Sequence, residues 1–199
     1  DQPVDERLDT PDRKAPRELV ATSGLFLGRA GVVDLMHPSA SIERIGFHQS
    51  SHEGAIQLEA YETAARPLIL ASRSRGTGSM TAADIVADPA QPIVAPVGGI
   101  VVRASSYTLY CDSTDQYLVI SPDARPDLEV KLLHVTGLTV QKGDRVEAGQ
   151  TVVAQGPRVL PFVSQVDDYT SDDPGSWPHV HIEVVDPSIP NIPGGGSGC

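Results

Sequence analysis

Residues 177–184, WPHVHIEV, alternate polar and apolar side chains. On a strand, successive side chains point to opposite faces. His179, His181 and Glu183 therefore share one face, and Val180, Ile182 and Val184 share the other. The same short-period pattern runs back to Asp84. PIVAP, GIVVRA, YTLYC, QYLVISP, EVKLLHV, VVAQG and HVHIEVV are brief runs of Val, Ile, Leu and Tyr, punctuated by Pro, Gly and Asp. Such runs predict strands joined by tight turns. Gly143-Asp144 and Ala148-Gly149 mark two of those turns inside VQKGDRVEAGQTVVA.

Residues 19–72 are mixed. LVATSGLFLGRAGVVDLMHP shows strand-like patches broken by Gly, and IERIGFH reads as a further strand. EGAIQLEAYETAA, residues 53–65, is rich in helix formers, with Pro67 as a stop, and predicts one short helix. RPLILAS reads as a strand and RSRGTGSMTAA as a loop. Residues 1–18 are charged, contain Pro and have no period, so they read as a flexible tether. The expected fold class is mostly β.

Composition narrows the function classes. The 199 residues carry a net charge of −11, and no cluster of Lys and Arg interrupts it; Arg73 and Arg75 in SRSRG are too few. Phosphate neutralisation needs such a cluster, so no nucleic-acid partner is expected. No apolar run approaches the roughly 18–20 residues of a membrane span, so no transmembrane segment is expected. The two cysteines are Cys111, in a strand-like run, and Cys199, after GGGSG. An even count favours a Cys111–Cys199 disulfide that pins the C-terminal tail and implies an oxidising compartment. Two unrelated thiols are the alternative.

Six histidines remain: His37, His48, His52, His134, His179 and His181. His37, in MHPS, reads as a surface residue. His134, His179 and His181 all fall on predicted strands. Neutral imidazole is the usual zinc ligand, and a catalytic zinc needs about three protein ligands with a position left open. Glu183 on the histidine face is either a hydrogen-bond partner of a histidine or a solvated edge residue.

The order PIVAPVGGIVV, KLLHVTGLTVQKGDRVEAGQTVVAQG, PHVHIEV resembles the lysostaphin/LytM-type zinc endopeptidases that cut peptidoglycan cross-bridges. The resemblance spans residues 80–186. It implies a compact β-sheet core of the duplicated hybrid motif type over 76–190, after a β-rich extension over 19–75 and before a tail over 191–199. It also implies zinc ligation by His181, with His179 and His134 acting on the bound water and the developing oxyanion. A further ligand is implied at Asp84, eight residues before Pro92. The remaining ligand histidine would fall at position 80, where this chain has Met80, and the motif glycine becomes Ala82.

Met80 sets the functional expectation. A thioether is a poor zinc ligand beside His and Asp, and Asp84 with His181 alone makes a two-ligand site. His48 and His52, in HQSSH, are the candidates to replace the missing ligand, although they lie well outside the family spacing. The long segment PRVLPFVSQVDDYTSDDPGSW brings Phe162, Tyr169 and Trp177 before the HxH strand. These either line or cover a groove, or pack as a loop over a sheet edge. The first expectation is a catalytically degenerate envelope protein that binds peptidoglycan or an envelope protein partner, with zinc either bound or absent. The second is an active zinc metalloendopeptidase with an unusual ligand set. A lipoyl- or biotinyl-type carrier, suggested by VQKGDRVEAGQTVVA, lacks the lysine at a hairpin tip. Either leading expectation places the protein outside the cytoplasm.

Overall fold

The computed structural model describes residues 18–62, 65, 67–170 and 178–191. Residues 1–17 of the expected tether 1–18, Trp177 and Cys199, and with Cys199 the expected disulfide, lie outside the described residues.

The chain is mostly β, and the described residues form fourteen strands. They are β1 Val20–Ala21, β2 Phe26–Ala30, β3 Val33–Met36, β4 Ser41–His48, β5 Leu58–Ala60, β6 Leu68–Ile69 and β7 Ala82–Ala87. Then follow β8 Ile93–Val94, β9 Gly99–Leu109, β10 Ser113–Pro122, β11 Glu129–Leu138, β12 Arg145–Val146, β13 Val152–Pro157 and β14 His179–Val185. One sheet of eleven strands runs in the order β1-β4-β7-β14-β11-β10-β9-β12, with β13 on β11 and β8, and β6 on β4. A second sheet has the order β3-β2-β5. Every pairing is antiparallel except β4–β6.

The expected helix over 53–65 is not there. Leu58–Ala60 is strand β5, paired to β2 through Gly28↔Ala60 and Ala30↔Leu58. Leu58 is buried in the core, and its N–H donates to the Met80 carbonyl. Helix propensity is worth only tenths of a kcal/mol per residue, whereas burying one Leu contributes about 1.5–3 kcal/mol. Pairing and burial therefore decide this segment. The helical turn among the described residues is a short 3-10 helix, Gln165–Tyr169.

The turn signals hold. Gly143 and Gly149 adopt φ of 99° and 67°, the left-handed region that glycine enters without a Cβ penalty.

The centre of the large sheet positions the site. β4, β7, β14 and β11 lie side by side, with Gly46 opposite Asp84, Asp84 opposite His181, and His181 opposite Leu133. One face of these strands is apolar: Ile45, Phe47, Ala83, Ile85, Val180, Ile182 and Val184 are buried in the main core. The other face carries His48, Asp84, His179, His181 and Glu183. Burial of Val180, Ile182 and Val184 stabilises β14 by about 1.5–3 kcal/mol per side chain. The core, and not the polar cluster, thus fixes where the histidines stand.

Candidate metal centre

Three strands bring His48, Asp84 and His181 together. His48 ends β4, Asp84 is central in β7, and His181 is central in β14. One ligand atom from each lies within 4.8 Å of the others. His48 Nε2 and His181 Nδ1 each approach Asp84 Oδ1 to 3.0 Å. His48 and Asp84 are buried, and His181 is half-buried at the floor of a cleft.

The outer atoms of both rings are committed. His48 Nδ1 donates to the Gln49 carbonyl at 2.8 Å, and His181 Nε2 lies 3.5 Å from Glu183 Oε2. A neutral imidazole carries one N–H. With that proton used outward, the inner nitrogen presents a lone pair. Two lone pairs and a carboxylate oxygen then converge on one point, where only a proton or a cation relieves their repulsion. Outward bonds from ligand histidines to a carbonyl and a carboxylate are the usual outer partners of a metal centre.

The donor set suits zinc: two imidazoles and one carboxylate with a position left open. Around a tetrahedral ion with bonds near 2.0–2.1 Å, ligand atoms stand about 3.3–3.4 Å apart. The 3.0 Å spacings need only a few tenths of an ångström of adjustment.

Charge is balanced tightly. Burial alone would raise the Asp84 carboxyl, but the neighbouring histidines, His179 and His48 by charge and His181 and His48 by hydrogen bond, hold it well below the usual range. Burial would lower His181, yet the Asp84 and Glu183 carboxylates raise it to about 9. Burial would likewise raise Glu183, but its bond and charge contact with His181 bring it to about 2. Without a cation, a proton on His181 therefore bridges the two carboxylates. Glu183 is buried, accepts the Ser50 hydroxyl at 2.5 Å and lies 3.5 Å from Lys131 Nζ. It is a partner of the histidine and not a solvated edge residue.

His134 and His179 flank the cluster, with ring centroids 5.1 Å apart. Tyr117 pairs with Leu133 and Gln116 with Val135, so His134 is the extra residue of a β-bulge. Its φ of 63° is left-handed, unusual for a residue other than Gly. The bulge turns the ring toward the cleft. There Nδ1 donates to Asp115 Oδ2 at 2.6 Å, which leaves Nε2 free for the cleft. Asp115 is fully buried and also accepts the Tyr107 hydroxyl at 2.6 Å. Burial would raise the Asp115 carboxyl, but the bond from His134 and that ring's charge outweigh it and lower it. His179 is buried, and burial pushes it down to about 4. Its Nδ1 lies 3.4 Å from Ser164 Oγ, and its Nε2 is 3.9 Å from Asp84 Oδ1.

The cleft above the cluster has a volume of about 360 Å³. Phe162 and Tyr110 form its apolar wall, rings edge to face at 5.1 Å, and Arg73 and Arg75 form the other. Arg73 Nη2 donates to Asp84 Oδ2 at 3.3 Å.

Two expected site residues lie elsewhere. His52 sits beyond the end of β4, where its Nδ1 accepts the Gly54 N–H at 3.0 Å inside a tight turn. That bond holds its ring away from Asp84. Tyr169 does not line the cleft. In the 3-10 helix it packs with Val166 against Leu68, Leu70 and Val86, because residues three apart stack on one side of such a helix. Met80 is half-buried against the core. His37, expected at the surface, is buried at 3% exposure with neither ring nitrogen bonded among the described residues. Asp115, Gln49 and Ser164 fall outside the apolar strand runs, and Tyr107 lies within one, YTLYC, where nothing in the pattern marks its hydroxyl as a partner of a distant carboxylate.

No family model matches the sequence, and no curated protein matches it. Among solved structures, a zinc containing peptidase from Vibrio cholerae is similar, with 21% identity and a TM-score of 0.36 over 52% of this chain and 26% of that one. This chain thus spans about a quarter of the length of that structure.

Proposed function

We propose that the protein is a zinc-dependent peptidase of the bacterial envelope, acting outside the cytoplasm on peptidoglycan peptides, with His48 standing in for the ligand that Met80 cannot supply. The observation that carries this reading is the convergence of His48 Nε2, His181 Nδ1 and Asp84 Oδ1, with the outer nitrogens of both rings already bonded.

His48, Asp84 and His181 would hold the ion. Zinc in such a site supplies Lewis-acid activation of water near neutral pH. His134 takes or returns a proton at Nε2, because Asp115 holds its Nδ1–H and supports the imidazolium that forms. His179, whose ring packs edge to face with that of His134, offers a ring N–H toward the charge that develops on the substrate carbonyl. Tyr110 and Phe162 exclude water on one side and give the peptide an apolar surface.

The test is incubation of zinc-loaded protein with purified peptidoglycan, following release of soluble fragments and new amino termini. Release that stops with chelator and returns with zinc supports the reading. No release under zinc saturation contradicts it.

A second reading is a binding module without catalysis. The guanidinium of Arg73 on Asp84 Oδ2 favours it, since a cation is already supplied to that carboxylate. Zinc content separates the two.

A further inference from the structure

The arginine wall of the cleft is built by one residue. Gln49, next to the candidate ligand His48, holds the loop that carries Arg73 and Arg75. Its Oε1 accepts from the Ser72 hydroxyl at 3.2 Å, the Arg73 N–H at 2.8 Å and the Arg75 N–H at 3.4 Å. Its Nε2 donates to the Thr77 carbonyl at 3.1 Å. Its own carbonyl accepts Arg75 Nη1 at 3.0 Å and His48 Nδ1 at 2.8 Å. A single side chain therefore fixes both arginines relative to the metal cluster.

The two arginines differ in what they still offer. Arg73 is committed, with Nε on Gln165 Oε1 at 2.9 Å and Nη2 on Asp84 Oδ2. Arg75 has one bond from its guanidinium, to a backbone carbonyl, and no carboxylate partner among the described residues. Five N–H groups make a planar fork matched to a carboxylate. Arg75 is exposed at the rim of the cleft, so that fork is open to a ligand. On a chain of net charge −11, this loop faces the cleft with two adjacent cations. Among the described residues Asp84 is the one acid lining the cleft, and His48, His181 and Arg73 already engage it.

We propose that Arg75, positioned by Gln49 and backed by Arg73, is a carboxylate-binding subsite, and that the cleft selects peptides carrying a carboxylate beside the segment lying over the metal cluster. The proposal deepens the peptidase reading and rests on it for the word substrate, but the binding it asserts requires neither metal nor cleavage. The carboxylate comes either from an acidic side chain or from a free chain end.

The test uses the full chain, zinc-loaded and chelator-treated in parallel, so that direct binding of an acid to the metal is separated from binding to Arg75. Three probes suffice: acetyl-Ala-Ala-Glu-amide, acetyl-Ala-Ala-Ala with a free carboxylate, and acetyl-Ala-Ala-Ala-amide. Affinity is read from backbone amide chemical shifts during titration. In the chelated protein, at least one acidic peptide is expected to bind about 10-fold tighter than the neutral one, as a charge-assisted fork allows. The shifts should include residues 72–77. The preference should vanish in Arg75→Gln and persist largely in Arg75→Lys. Whichever acidic peptide binds tighter identifies the source of the carboxylate. Equal binding of all three, absence of acid-dependent shifts in 72–77, or a preference that survives in Arg75→Gln overturns the proposal. Failure to cleave peptidoglycan, with the acid preference intact, overturns only the peptidase reading.

Discussion

His48 Nε2 lies 3.0 Å from Asp84 Oδ1, although 36 residues separate them along the chain. Pairing of β4 with β7 closes that distance, with His48 opposite Ala82 and Gly46 opposite Asp84. In the proposed site, the ligand histidine that the sequence resemblance places two residues before β7 would come from the neighbouring strand instead. Met80 is then a packing residue. Met80→Leu is expected to leave zinc content unchanged and to alter stability by less than about 1.5 kcal/mol, as volume-conserving swaps do. Metal analysis and urea denaturation check this. Loss of zinc in Met80→Leu would contradict it.

The Asp115–His134 bond predicts a separable effect. Asp115→Asn is expected to retain zinc while lowering kcat by about 10–100-fold, within the range of general acid–base catalysis. The variant's pH–rate profile should differ from that of wild type. Tyr107→Phe removes one neutral donor from the same carboxylate and should cost about 1 kcal/mol of stability with a smaller effect on rate. An Asp115→Asn enzyme with an unchanged pH profile would show that the carboxylate serves only the fold.

How far these roles were legible before the structure differs by residue. The face shared by His179, His181 and Glu183 follows from strict alternation, and the apolar core imposes it. Asp84 could be placed by its distance from Pro92. His48 could be named only as one of two candidates, since pairing of β4 with β7 across the intervening β5 and β6 leaves no trace in local pattern. Asp115 falls in the gap between the YTLYC and QYLVISP runs and carries no signal there, because β10 begins at Ser113, before its apolar run. Leu58–Ala60 carries helix-forming residues, and its pairing with the distant strand β2 leaves no mark in local propensity. His37 was read as exposed because HP suggests a turn; it is buried because Met36 N–H donates to the Pro96 carbonyl and Val94 N–H to the Pro38 carbonyl, drawing the turn under β8.

His37 makes an acid-sensitivity prediction. Burial lowers it from 6.5 to about 4, so the native state keeps it neutral. Above pH 6.5 neither state is protonated and His37 contributes no pH dependence. As pH falls through 6.5 the unfolded chain takes up a proton that the native state refuses, and stability falls until pH reaches about 4. The full loss is about 3 kcal/mol. His37→Leu lacks this slope. Between pH 7.5 and 4.5 the variant should gain about 2–3 kcal/mol relative to wild type by urea denaturation. Parallel pH dependence of the two proteins would contradict the burial argument.

Gly99, in the PVGGIVV run, tests the sheet. A Cβ there would stand 2.1 Å from the Ser121 carbonyl oxygen and 2.9 Å from the Ile120 side chain. Gly99 pairs with Pro122 on one side and Val146 on the other, so neither backbone can retreat. Gly99→Ala should destabilise the fold by roughly 2–4 kcal/mol, the scale of overpacking at a rigid site. A loss below about 0.5 kcal/mol, the ordinary surface range, would show that the strands yield.

The central claim is that His48, Asp84 and His181 form one metal site. Zinc per chain, measured by elemental analysis after mild dialysis of wild type and His48→Ala, tests it most directly. The strand carrying His48 is held by Ile45 and Phe47 in the core, so the variant should fold, as circular dichroism will show. The account predicts about one zinc per wild-type chain. It also predicts a fall in affinity in His48→Ala beyond the roughly 10–100-fold that loss of an outer partner brings. A wild-type protein that takes up no zinc from excess, or a folded His48→Ala that holds zinc as wild type does, would contradict it.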